Sequence, residues 1–217
     1  MKTRTLSLVL GAIAVLSCGL QARAQATYVN PIDVNYLLLP VRNGSPADPE
    51  IILHDGKYWL FGTNAGGYFV SDDLAHWKWI ADPQIPTTEW APTVEEINGK
   101  LHFSSRMGTI HRAVDLLKGK WEKLPQKVPG SVDSAFFADG NRLFLYWGGG
   151  PACLRGKASS APIVGCEIDP KTFAAKTRPK SLFTADMARY GWEVGGDNND
   201  NFGRFAYLEG AHMFRRG

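Results

Sequence analysis

The chain has 217 residues, 44% hydrophobic and 21% charged, with 7 Trp, 7 Tyr and 11 Phe. That balance excludes a disordered chain and supplies apolar material for a sizeable core. Three of the 24 basic residues and none of the 21 acidic ones fall in residues 1–26, so the remainder is neutral overall. No Lys/Arg cluster is left to suggest nucleic acid as a partner.

In chain order, Met1 to Ala26 reads as a signal peptide. Lys2 and Arg4 precede the apolar run Leu6 to Leu20, and Ala22, Ala24 and Ala26 offer small residues for cleavage. The mature protein, residues 27–217, is expected to be secreted or periplasmic. Lipid attachment at Cys18 is the weaker alternative, since Leu16-Ser17-Cys18-Gly19 is an imperfect site with a conventional cleavage site close behind. The apolar run is shorter than the roughly 20 residues a spanning helix needs, and no second run follows, so no membrane span is expected.

From Asp48 onward the chain repeats. Asp48 to Phe61, Trp90 to Phe103 and Asp133 to Trp147 each read as a strand, a turn at Asp55-Gly56, Asn98-Gly99 or Asp139-Gly140, and an aromatic-rich second strand. This is a hairpin pattern. A fourth copy begins at Glu209. Tyr68 to Ser71 with Trp77, and Ile110 to Ala113 with Trp121, supply further strands. Gly56, Gly99 and Gly140 are 43 and 41 positions apart, about the length of a four-stranded propeller blade. The spacing predicts an all-β propeller with blades over 45–84, 88–127 and 131–184, a long loop over 185–208, and the first strand of a fourth blade over 209–217. A propeller left unclosed at Gly217 is the expectation, and a β-sandwich is the alternative.

Cys153 and Cys166 lie 13 positions apart. In an oxidising compartment a bridge between them would stabilise by roughly 3 kcal/mol. Two separate buried thiols is the other reading.

Counting back from each turn glycine, Asp48, Asp133 and Glu209 fall at matching places, seven or eight residues before it, with Ala91 in the second repeat. In a blade the first strand is innermost, so these carboxylates are expected at the mouth of the central channel. Each alone would serve as a turn cap. Together they suit glycoside hydrolysis with inversion, which needs an ionised carboxylate to activate water and a protonated one to donate to the leaving oxygen. A third carboxylate raises the donor's pKa by like-charge repulsion. Trp90, Trp147 and Trp192 are candidate sugar platforms, and Arg106 is a further candidate for substrate binding.

The sequence resembles glycoside hydrolase family 43, the five-bladed propellers that include arabinofuranosidases, xylosidases and arabinanases. The matching residues are Ala47-Asp48-Pro49 with Gly56-Lys57-Tyr58, Ser71-Asp72-Asp73-Leu74 with Trp77, Trp90-Ala91-Pro92, Val132-Asp133-Ser134 with Asp139-Gly140, and Leu208-Glu209-Gly210. The resemblance implies that Asp48 is the general base, Asp133 the pKa-modulating carboxylate and Glu209 the general acid. It also implies an oligo- or polysaccharide substrate carrying arabinofuranosyl or xylosyl linkages. No cofactor is expected in this segment, although a channel ion belongs to the complete propeller.

Other chemistries find no motif: there is no G-x-S-x-G elbow, no H-E-x-x-H and no phosphate-cradling G-x-x-x-x-G-K. Asp197 to Asn201 lacks the Gly and Glu of a calcium loop, so no metal site is expected there. The competing function is a glycan-binding propeller without catalysis.

Overall fold

The computed structural model describes residues 47–81, 83–129, 133–148, 162–186, 188–191, 193 and 206–216. The expected signal peptide, Cys153 and Trp192 lie outside these residues.

The described residues fold into three antiparallel sheets of four strands each. The first contains β1 (Ala47–His54), β2 (Lys57–Thr63), β3 (Gly67–Ser71) and β4 (Lys78–Ala81). The second contains β5 (Thr93–Ile97), β6 (Lys100–Ser104), β7 (Thr109–Asp115) and β8 (Lys120–Lys127). The third contains β9 (Ala135–Asp139), β10 (Arg142–Trp147), β11 (Pro162–Ile168) and β12 (Lys180–Thr184). Each sheet pairs its strands in chain order, as a meander with local turns must. β5 lies beside both β1 and β9, which puts the first strands innermost, as in the blades of a propeller.

Turn chemistry sets the hairpins. Asp55 and Gly56 both have positive φ, at 50° and 72°, and so do Asn98 and Gly99, at 53° and 74°. This is the I′ sign pattern that matches strand twist. The third turn is Gly140-Asn141 instead of the expected Asp139-Gly140, because Asp139 pairs with Arg142 in the ladder. The outer turns are also built locally. Ser71 Oγ accepts from the Asp73 and Leu74 amides, and Asp73 Oδ1 from those of Ala75 and His76. Asp115 caps a 3-10 turn, Leu116–Lys118, and Gly119 ends it at φ 64°.

Two cores form, each between neighbouring blades. Trp59, Phe61, Tyr68, Leu101, Phe103 and Trp121 fill the first, and Ile110, Phe136, Leu143, Leu145, Ile168 and Phe173 the second. A single blade cannot cover its own faces, and the burial appears only when blades stack. The inner edges are closed by side chains of the preceding blade. Thr93 Oγ1 and Glu95 Oε2 accept from the Phe136 and Ala138 amides, at 2.9 and 3.0 Å. Edge amides left unpaired would otherwise be open to other strands.

Residues 207–216 contain no strand, although the repeat predicted one from Glu209. A strand needs a hydrogen-bonded partner ladder, and none of the described residues supplies it. Cys166 is buried in the second core, which pushes its thiol pKa up. Among the described residues, no helix is long and apolar enough to cross a membrane.

Candidate active site

At the start of the innermost strands a cleft of about 170 Å³ is lined by Asp48, Glu50, Ala91, Pro92, Asp133, Ser134, Gly210 and His212, among others. Two of the three predicted carboxylates line it. Glu209 directly precedes Gly210 of its lining and lies close to Asp133. A larger cavity of about 330 Å³ lies at the other end of the first two blades, around His54, Lys57, Lys100 and Asp115. None of the predicted site residues lines that cavity.

The equivalence of the blade entrances is a backbone property. Asp48, Ala91 and Asp133 all take left-handed φ, at 50°, 46° and 45°. Asp tolerates this region better than most residues, whereas Ala pays about 1 kcal/mol or more. In β1 the turn falls at a bulge between Ala47 and Glu50, a device that re-aims a side chain beside a site. In the segment after the third blade the positive φ belongs to Gly210, at 67°. Glu209 therefore sits one position before the slot that Asp48 and Asp133 occupy, and corresponds to Trp90 instead.

Each carboxylate is held differently. Asp48 Oδ2 accepts from Thr63 Oγ1 at 2.5 Å, and that oxygen accepts the Ala91 amide at 2.7 Å. Glu209 accepts from the Tyr207 hydroxyl at 2.5 Å. Its segment passes close to the third blade, where a Cβ on Gly148 would come within 3.1 Å of the Leu208 carbonyl oxygen and collide with Ile163. Burial first, then the hydrogen bond to Glu209 and the charges of Glu209 and Asp48, push the Asp133 pKa up to about 7, while Arg106 opposes the rise. Asp133 therefore keeps its proton toward neutrality.

The aromatic candidates divide. Trp90 is 54% exposed and lies under the Arg106 guanidinium, 4.6 Å from its ring centre. Trp147 is half-buried against the second core, away from the cleft lining.

Four residues at the site were not singled out in the sequence. Thr63 and Tyr207 hold the acids; Glu50 and His212 line the cleft and approach each other at 3.7 Å. Burial, then the charge of Glu95, push the Glu50 pKa up to about 7. The signal for Thr63 was hairpin register, since counting outward from the Asp55-Gly56 turn sets it opposite Asp48 before the bulge slides it to Ala47. The described residues do not form a donor set for the expected channel ion. No three His, Cys, Asp or Glu side chains among them are gathered to hold a metal, and Glu95 is turned to the Ala138 amide.

Three stacked four-stranded blades, with Asp48 and Asp133 at the inner entrances of the first and third, define a β-propeller architecture. The chain belongs to glycosyl hydrolases family 43, whose model matches residues 38–217. Solved structures of the same fold are five-bladed propellers. They include a thermostable family-43 glycoside hydrolase (21% identity, TM-score 0.54), covering 74% of this chain and 57% of its own. An endo-arabinase from Bacteroides thetaiotaomicron VPI-5482 (19%, 0.52) covers 69% and 59%, and a GH43_12 protein retrieved from capybara gut metagenome (16%, 0.59) covers 79% and 35%. The chain thus spans under two thirds of the length of these structures, and at such identities the likeness speaks to fold. No curated protein matches the chain.

Proposed function

We propose that this chain belongs to an exported glycosidase that cleaves arabinofuranosyl or xylosyl linkages of plant-type polysaccharide with inversion. The observation that carries the reading is the gathering of Asp48 and Asp133 at one cleft, with Glu209 close to Asp133 and the Asp133 pKa pushed up to about 7. In this reading Asp48 takes a proton from water as that water attacks the anomeric carbon. Glu209 gives its proton to the glycosidic oxygen as the bond to the leaving sugar breaks. Asp133 keeps the donor protonated through charge and hydrogen bonding. Family membership and the matched motifs support the pentosyl substrate, and the sequence of residues 1–26 supports export.

The test is incubation of the full chain with an aryl α-L-arabinofuranoside and an aryl β-D-xyloside, reading released aryl alcohol. Release from either is expected. Binding to arabinan or xylan with no release from any of these would instead make the protein a glycan-binding propeller.

A further inference from the structure

We propose that Thr63 is a positioning residue that fixes the Asp48 carboxylate in the orientation from which it activates water. This rests on the reading of Asp48 as the base. Asp48 stands exposed on a bulge, so its own backbone leaves the carboxylate free to rotate. Thr63, at the end of β2, is buried at 7% exposure, and its β-branched side chain has few rotamers open to it.

The direction of both hydrogen bonds follows from the chemistry of a hydroxyl. Thr63 Oγ1 accepts the Ala91 amide at 2.7 Å, an N–H that can only donate. Its single proton is then directed at Asp48 Oδ2, 2.5 Å away. A hydrogen bond to an ionised acceptor is stronger than a neutral one, and here the donor is held by the next blade. Ala91 aims its N–H inward from the left-handed slot, at φ 46°, the slot that holds an Asp in the first and third blades. The blade without a carboxylate thus orients the carboxylate of its neighbour. Holding Oδ2 leaves Oδ1 to receive the proton from water.

A purely structural threonine would cap the Ala91 amide and affect melting alone, so the test must separate the hydroxyl from the fold. Thr63→Ser and Thr63→Ala both lose the methyl group and differ only in the hydroxyl. In the full chain, on whichever aryl pentoside is turned over, Thr63→Ser should keep kcat within about twofold of wild type. Thr63→Ala should lose about tenfold or more in kcat with little change in KM, the scale of a hydrogen bond to a charged group. Thr63→Val, which keeps the shape and loses the hydroxyl, repeats the comparison if Thr63→Ala does not fold. Equal losses in Ser and Ala variants, or wild-type kcat in Thr63→Ala while Asp48→Asn is inactive, would overturn the role of Thr63 alone. Wild-type kcat in Asp48→Asn would overturn the base assignment, and this proposal with it.

Discussion

Glu209 lies close to Asp133, and burial together with this neighbour pushes the Asp133 pKa up to about 7. Activity should therefore fall as pH rises through about 7, where the Asp133 proton is lost. Asp133→Asn removes a like charge and should move this basic limb to lower pH. Arg106→Met removes the cation that opposes the rise and should move it to higher pH. The measurement is kcat/KM across pH, and a basic limb unmoved in both variants would separate the pair from the chemistry.

Loss of the proton donor should depend on the leaving group. Glu209→Gln is expected to lose roughly 10²–10⁴ in rate on natural glycosides, and much less on dinitrophenyl glycosides, whose leaving group needs no proton. Asp48→Asn should be crippled on both, because water must still be activated. Proton NMR of the first product should show the inverted anomer. A retained anomer, or leaving-group rescue of Asp48→Asn in place of Glu209→Gln, would reverse the assignment and make Glu193, whose carbonyl oxygen accepts the Tyr207 amide, the next acid to test.

Glu50 links stability to pH. Burial and Glu95 hold its folded pKa near 7, above the ordinary 4.5, so between those values the folded protein keeps a proton that the unfolded chain has released. Stability is highest below this window and falls as pH rises through it. Glu50→Gln should flatten that slope and stabilise the protein above pH 7 by on the order of 1–3 kcal/mol. Urea unfolding at acid and alkaline pH reads the difference, and an equal effect at both would sink the argument.

Trp90 offers an exposed ring beside the cleft, under Arg106. Trp90→Ala should raise KM by roughly tenfold through loss of a stacking face while leaving melting nearly unchanged. A drop in melting temperature with KM intact would assign the ring to packing.

Much of the fold was legible because hairpin turns are local. Asp55-Gly56 and Asn98-Gly99 adopt the backbone signs their residue types favour, and the aromatic second strands follow them. Even so, the third turn slid by one residue, because Asp139 was taken into the ladder by Arg142, a pairing the dipeptide Asp-Gly does not reveal. Asp48 and Asp133 could be matched by counting, since each opens an inner strand. Glu209 could not be matched in the same way. Spacing carries no φ, and Gly210 holds the left-handed slot.

What only the tertiary structure decided is which groups meet across blades. Period-two alternation says that a strand has two faces, but not which neighbour covers them. Trp147 therefore reads like Trp90 in the sequence, yet one packs against a core between blades and the other stays exposed beside the cleft. Thr63 is placed near Asp48 by hairpin register, but the direction of its hydroxyl proton depends on the Ala91 amide from the next blade. The closeness of Glu209 to Asp133 likewise joins segments that no local rule relates. Turn propensities act over about four residues, whereas these contacts form only once neighbouring blades have stacked.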